Sequence, residues 1–133
     1  MNVTLAVLAD YANVTQEGKL NIMGIFDSIH AQKFPALHPE MKLVTQFEAG
    51  IAEVRKVHQL EIVLMGADGA RLFSVSGQLQ VGEIQSGTLY KTNNILNIRG
   101  LKFEQPGEFE FKILVNGEER KSVPLKVLRL PNA

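Results

Sequence analysis

The chain has neither cysteine nor tryptophan among its 133 residues. The lack of cysteine excludes disulfides, thiolate nucleophiles and thiolate metal ligands. Charge of one sign is not in excess either, because 14 Lys and Arg residues balance 14 Asp and Glu residues. Proteins that bind nucleic acid or anionic membranes rely on a cationic surplus, so we expect neither partner for this chain. A neutral chain has little charge repulsion between copies, which favours a homo-oligomer or a protein partner.

Long apolar runs are missing as well. No stretch approaches the roughly 20 apolar residues that a membrane span needs. The apolar segment Val3–Ala9 lacks a cationic start and leads directly into Asp10, so it does not have the pattern of a secretory signal peptide. These features predict a cytoplasmic protein. The length predicts a single domain over residues 1–133.

What the sequence does contain is apolar residues at every second position, the period of β-strands. Two apolar runs, Val3–Ala9 and Leu20–Ile29, lie on either side of the polar segment Thr15–Lys19. We expect them to form the two strands of a hairpin. Asp68-Gly69 and Asn116-Gly117 predict two further hairpin turns, because glycine accepts the positive φ that these turns require. No segment keeps a helical period of 3.6 residues.

About eight strands at short intervals predict an all-β fold, an antiparallel β-sandwich with Greek-key connections. A closed β-barrel is the alternative architecture. The segment from Pro106 to Leu125 combines a Pro-Gly turn, a strand with alternating aromatic residues and a final strand. It resembles the last two strands of immunoglobulin-like domains.

Irregular positions predict where this pattern is interrupted. Prolines indicate a crossover loop at Phe34–Pro39 and an edge strand at Pro124. The aperiodic stretch Gly82–Thr92 predicts a loop. The apolar positions change parity between Ile98 and Leu101, which predicts an inserted residue between them, near Gly100.

The most distinctive polar residues are Asp10, Asn13 and Asp27. Converging carboxylate and amide oxygens would suit a hard cation such as calcium or magnesium. The alternative is that these side chains cap turns by accepting hydrogen bonds from nearby backbone N–H groups. We favour turn capping, because the sequence contains no spaced acidic loop of the calcium-binding kind.

No pattern predicts catalysis. The three histidines His30, His38 and His58 lack zinc-site spacing, and we assign them solvated or capping roles. No serine lies in a Gly-x-Ser-x-Gly context, and no glycine-rich phosphate loop is present. The sequence therefore predicts a protein that is not an enzyme, with no catalytic residue, no metal and no cofactor.

Apolar residues also occupy the strand face that should be exposed to solvent. Met23 and Ile25, with Ala6 and Leu8 on the neighbouring strand, predict a second apolar surface. It is covered either by the loop Phe34–Leu37 or by another molecule. The candidate interaction or pocket residues are therefore Asp10, Tyr11, Asn13, Met23, Ile25 and Asp27.

The opening of the chain is similar to that of a family of small bacterial proteins with no assigned function. The similarity rests on LADYANVT (residues 8–15) and GKLNIMGIFD (residues 18–27), and continues through Ile95-Leu96-Asn97 to the last strands. It implies a stand-alone bacterial cytoplasmic domain and no catalytic residues. We favour a non-catalytic module that acts through protein–protein contacts or self-assembly. The alternative is a small-ligand or cation-binding protein with a pocket near Asp10, Asn13 and the Gly82–Thr92 loop.

Overall fold

The computed structural model describes residues 1–131, which form nine β-strands and one short 3₁₀ turn, Ile51–Glu53. The strands are β1 (Asn2–Val14), β2 (Leu20–Phe26), β3 (Ser28–Ala31), β4 (Ala36–Ala49), β5 (Val57–Gly66), β6 (Arg71–Gln80), β7 (Tyr90–Phe103), β8 (Gly107–Val115) and β9 (Glu118–Arg129). The all-β prediction is confirmed. None of the helical segments in this part of the chain is long and apolar enough to cross a membrane.

The strands form two separate sheets rather than one closed barrel. The first sheet has the order β2-β1-β4-β7, and the second has the order β3-β9-β8-β5-β6. Neighbouring strands are antiparallel except β3 and β9, which are parallel. The sheets pack face to face around one apolar core, because alternate residues of both sheets point inward. Its largest fully buried side chains include Phe47, Phe103, Phe111, Leu8, Met41, Leu43, Leu64, Ile113 and Leu125.

The predicted opening hairpin is confirmed. β1 and β2 pair antiparallel, from Leu8 opposite Phe26 to Val14 opposite Leu20. The turn closes with a hydrogen bond of 2.7 Å from the Thr15 N–H to the Lys19 carbonyl oxygen. Beyond Ala9 the strand β1 pairs with β2 alone, because its ladder with β4 ends at that residue.

Strand β3 is missing from the sequence prediction. It has only four residues and lies one residue after β2, so the second apolar run is divided between the two sheets. Four residues are too few to establish a period, and a parallel partner nearly 100 positions away leaves no local signal. Strand β4 begins at Ala36, so most of the predicted crossover loop is strand. Strand β7 begins at Tyr90, which shortens the predicted loop that follows Gly82.

The predicted insertion near Gly100 is wrong. β4 and β7 keep one continuous register, and their ladder skips only the opposed residues Pro39 and Gly100. Proline cannot donate to the ladder, and Gly100 adopts a φ of +68°. The change of parity between Ile98 and Leu101 therefore arises from the backbone conformation at this step, with no extra residue in either strand.

The hairpin turns agree with the prediction, but the strand that contains Pro124 is not an edge strand, because β9 lies between β3 and β8. Gly69 has φ +84°, and Asn116 and Gly117 have φ +51° and +82°, as tight β-hairpins require. Pro124 pairs with Glu110 of β8. Its other side is a free edge, because β3 covers β9 only from Lys126 onward.

Candidate binding site

The structure places Asp10 in the middle of the opening hairpin. Its carboxylate lies over Gly24, where an added Cβ would be only 2.6 Å from Asp10 Oδ2. Gly24 has φ +72°, so both the conformation and the space at this position require glycine. The mid-strand glycine is thus explained by a close approach, and the β1–β2 register continues through it.

Asn13 and Asp27 lie elsewhere along the same hairpin. Asn13 is opposite Asn21, whose Nδ2 donates to Asn13 Oδ1 at 2.9 Å, and Asn13 Nδ2 donates to Tyr11 Oη at 3.3 Å. Asp27 follows the end of β2, and its carbonyl oxygen accepts from the Lys126 N–H at 2.8 Å. Three residue steps of a strand separate Asp10 from Asn13, about 10 Å. The three polar residues therefore do not form one site, and residues 1–131 contain no group of three or more His, Asp or Glu side chains that could hold a metal.

Met23 and Ile25 are both exposed, each with 63% of its surface accessible. Their cross-strand partners are Tyr11 and Ala9. Of the predicted apolar surface, Ile25, Ala6 and Leu8 line one pocket, whereas Met23 does not. Leu8 faces Phe26 and is fully buried. Phe34 packs against the main core and therefore does not cover Met23 and Ile25, as the sequence had suggested it could.

The predicted pocket beside Asp10, Asn13 and the loop after Gly82 does not form. Ala9 pairs with Lys42 of β4, whereas Tyr90, which follows the loop, pairs with Ala49. Lys42 and Ala49 are seven residues apart on the same strand, which corresponds to about 23 Å. Asp10 and Asn13 therefore lie far from the loop after Gly82, measured along the strands of the first sheet.

A cleft that the sequence did not predict opens between the two sheets, where β6 of one sheet faces β7 of the other. We call it the edge cleft, and its volume is about 280 Å³. Its floor is apolar, and its rim is polar but without a single ionisable side chain. The floor consists of Phe47, Leu60, Ile62, Leu79 and Leu96, and the rim includes Ser76, Gln78, Thr92, Asn93 and Asn94.

Both strands beside the edge cleft have a free edge. Within residues 1–131, β6 pairs only with β5, and β7 pairs only with β4. From Leu72 to Gln80 and from Thr92 to Ile98 these strands carry no charged residue. Natural proteins usually protect sheet edges with charges or prolines, so two unprotected edges beside one cleft suit strand addition.

The cleft has a weak signal in the sequence. Thr92 and Asn94 occupy the alternate positions that continue as Leu96 and Ile98, so a polar pair interrupts an inward-facing series. Gly77 interrupts the corresponding series on β6, and an added Cβ there would meet nothing within 4 Å. Both features indicate unfilled space, but their proximity depends on long-range pairing that periodicity does not reveal.

A buried polar network lies where β5 begins. His58, predicted as solvated or capping, is only 7% exposed, so its solvated assignment is wrong. Asn116 Oδ1 accepts from the Gln59 N–H at 2.9 Å, which leaves Asn116 Nδ2 to contact His58 Nδ1 at 3.0 Å. Because an amide nitrogen only donates, His58 Nδ1 accepts and its proton resides on Nε2 in the neutral ring. Periodicity missed this role because His58 is held by a turn nearly 60 residues away.

Glu53 joins this network from the 3₁₀ turn. Its Oε1 lies 2.5 Å from the amino nitrogen of Met1 and 3.4 Å from His58 Nε2. The hydrogen bond from the Met1 amino group lowers the pKa of Glu53, and this outweighs burial, which acts in the opposite direction. His58 Nε2 has no hydrogen-bond partner among the described residues.

A family model described as "Family of unknown function (DUF6941)" matches residues 4–128. No curated protein matches the chain. The alkylpurine DNA glycosylase AlkC of Pseudomonas fluorescens, solved bound to DNA containing an abasic site analog, has a similar fold, with a TM-score of 0.54 and 12% sequence identity. The similarity covers 97% of this chain and 30% of the glycosylase chain, so this chain spans less than a third of that protein.

The expectation that nucleic acid is excluded as a partner is contradicted by this comparison, because the similar structure is bound to DNA. Net charge is a poor criterion, since it sums over the whole surface. Contacts with DNA depend on where individual cations and hydrogen-bond donors lie.

Proposed function

The chain belongs to this family of unknown function, and from its geometry we propose that it is a non-catalytic recognition module that binds an extended polypeptide segment at the edge cleft. The observation that supports this function is the pair of free, uncharged strand edges on either side of an apolar floor. An added strand would gain main-chain hydrogen bonds from one edge, and its alternate side chains would enter the cleft.

The chemistry of the lining favours an uncharged segment. A charged side chain inserted between the sheets would lose its hydration without finding an opposite charge, because no lining residue is ionisable. An apolar side chain would contact Leu60 and Leu96 at the floor. The amide groups of Asn94 and Gln78 can both donate to and accept from the partner's backbone, whereas Asn93 Oδ1 already accepts from Gln46 Nε2 at 3.1 Å.

The experiment selects ligands from a displayed library of random dodecapeptides on the wild-type chain. Gly77→Phe fills the cleft, because position 77 has open space and needs no positive φ. Ser74→Phe is the matched control, since Ser74 is exposed on the same strand outside the cleft. We expect enriched peptides with alternating apolar and uncharged residues that bind wild type and Ser74→Phe but not Gly77→Phe. Enrichment of charged peptides, equal binding to all three proteins, or no enrichment at all would contradict the proposal.

DNA binding is a second candidate, favoured by the similarity to a DNA-bound structure. Lys126 and Arg129 pair in register with Ser28 and Ala31 at the edge of the second sheet. Lys33 follows shortly in the chain, and the Arg129 guanidinium lies 4.9 Å from the centre of the Phe34 ring. Among residues 1–131, none of these three cations forms an ion pair with a carboxylate.

Fluorescence anisotropy with labelled duplexes, one intact and one containing an abasic analogue, tests this candidate. Phosphate contacts would make the logarithm of the affinity fall linearly with the logarithm of the salt concentration. Lys126→Glu combined with Arg129→Glu should remove binding, and Lys56→Glu should reduce it little. No anisotropy change at low salt, or equal loss in both variants, would argue against a DNA interface at this edge.

We further propose an immunoglobulin-like Greek-key topology and a bacterial cytoplasmic location. The strand order, with β3 parallel to β9 at the end of one sheet, supports the topology. The composition and the family resemblance support the location. An experimental structure with a different strand order, or fractionation of the native protein outside the cytoplasm, would contradict these proposals.

A further inference from the structure

Strand β2 is also a free sheet edge, but unlike β6 and β7 it does not border the edge cleft. It pairs only with β1, and its opposite edge has no neighbouring strand in the part of the chain that the structure describes. The seven residues Leu20–Phe26 carry no charge, and they are flanked by Lys19 on one side and Asp27 on the other. An uncharged edge without proline is available for pairing with another strand.

Side chains around this edge are apolar and exposed. Met23 and Ile25 are each 63% exposed, and Tyr11, opposite Met23, is 50% exposed. All three lie close to the free backbone groups of β2, with Gly24 between Met23 and Ile25. The positive φ of Gly24 interrupts the row of backbone groups at one step, so these side chains would contribute contacts alongside the hydrogen bonds.

The flanking charges are self-complementary. If a second copy of β2 pairs antiparallel about a two-fold axis at Met23, Lys19 of each copy lies opposite Asp27 of the other. A parallel, in-register pairing would instead bring Lys19 against Lys19 and Asp27 against Asp27. Opposite charges directly across a ladder stabilise it, whereas like charges destabilise it. The charge pattern thus favours a second copy of this chain in one orientation.

We propose that β2 is the interface of a symmetric homodimer, in which two β2 strands pair antiparallel and extend the first sheets of both copies into one. Because of the two-fold axis every contact occurs twice, so both Lys19–Asp27 pairs form together. The neutral net charge of the chain leaves little long-range repulsion to oppose association. This interface is separate from the edge cleft, and neither proposal depends on the other.

Light scattering with size-exclusion chromatography, and sedimentation equilibrium over a wide concentration range, test the dimer with the full chain. The wild type should change from the 14.7 kDa monomer to twice that mass as its concentration rises. Lys19→Asp and Asp27→Lys should each weaken the dimer about tenfold or more, because each creates two like-charge contacts. An equimolar mixture of the two variants should restore it, since both contacts then join opposite charges.

Lys121→Asp and Glu108→Lys are the matched controls, because they change the net charge by the same amounts at exposed positions on the second sheet. Both should dimerise as the wild type does, and so should Gly77→Phe, whose change lies in the edge cleft. Circular dichroism verifies that each variant is folded, and recovery in the mixture does not depend on the stability of either variant alone. A wild type that remains monomeric throughout, a mixture no stronger than the single variants, or loss of the dimer in any control would overturn the proposal.

Discussion

The two lateral sides of the molecule differ in how the sheets are joined. On one side, which we call the crossover side, the chain passes from β2 to β3 within one residue, and the Lys126 N–H donates to the Asp27 carbonyl oxygen. On the other, the open side, β6 and β7 end their sheets without any strand between them. The crossover side therefore closes the gap between the sheets with the chain itself, apart from a pocket of about 340 Å³ lined by residues including Leu8, Phe26 and Val123. The open side leaves an apolar floor that a ligand can reach.

Burial in a two-sheet protein therefore follows connectivity as well as hydrophobicity. Leu125 of β9 and Leu79 of β6 are both inward-facing leucines in the second sheet. Leu125 is fully buried, but Leu79 is only half-buried because it lines the edge cleft. Truncating each residue tests the comparison directly.

Leu125→Ala should have the largest effect. It removes a fully buried side chain from the main core, and such truncations cost about 2–5 kcal/mol of unfolding free energy. Urea unfolding followed by circular dichroism measures the loss. A cost below about 1 kcal/mol would mean that the crossover side is not the tightly packed side.

Gly24→Ala should follow, at about 1–3 kcal/mol, because alanine there has a strained positive φ and its Cβ would approach the Asp10 carboxylate. The same unfolding assay applies. In an Asp10→Ala background the cost should be smaller, since the nearest oxygen is gone. Equal costs in both backgrounds would assign the whole effect to the backbone conformation.

Leu79→Ala should cost about 1 kcal/mol, because only part of the side chain leaves an apolar environment. The cavity it extends is already open, so no sealed void results. Its unfolding free energy is compared with that of Leu125→Ala under the same conditions. A cost as large as that of Leu125→Ala would show that the open side is packed in solution.

The smallest expected effect is on the unfolding free energy at acidic pH, through the carboxylate of Glu53. The pKa of Glu53 is lowered from 4.5, so its carboxylate contributes stability above that pH and loses it as the pH falls through the lower, folded-state pKa. Glu53→Gln should flatten the dependence of unfolding free energy on pH in this acidic range. Unfolding measured at a series of pH values checks this, and an unchanged acid slope would contradict it.

Local features of the fold could be predicted from the sequence, and long-range ones could not. The hairpin at Thr15–Lys19 and the Asn116-Gly117 turn depend on neighbouring residues, so their composition indicates them. The short strand β3 depends on β9, and the role of His58 depends on Asn116. The edge cleft requires the order of strands in both sheets, which alternation alone leaves undetermined.

For two of the candidate interaction residues, the expected exposure agrees with the structure. Exposure of Met23 and Ile25 follows from their positions on β2, and the structure shows it. The residues of β1 that lie opposite them depend on the hairpin register, which alternation alone leaves undetermined. Asp10 is explained by Gly24, a pairing that becomes visible only once the register is known.

The parallel pairing of β3 with β9 has a mechanical consequence. Opposed pulls applied through Asp27 and Arg129 would act along both strands in opposite directions, so the hydrogen bonds from Ser28–Lys126 to Ala31–Arg129 would resist together in shear. An antiparallel hairpin pulled at its open end unzips one bond at a time. This short patch would therefore resist such a pull in shear rather than by unzipping.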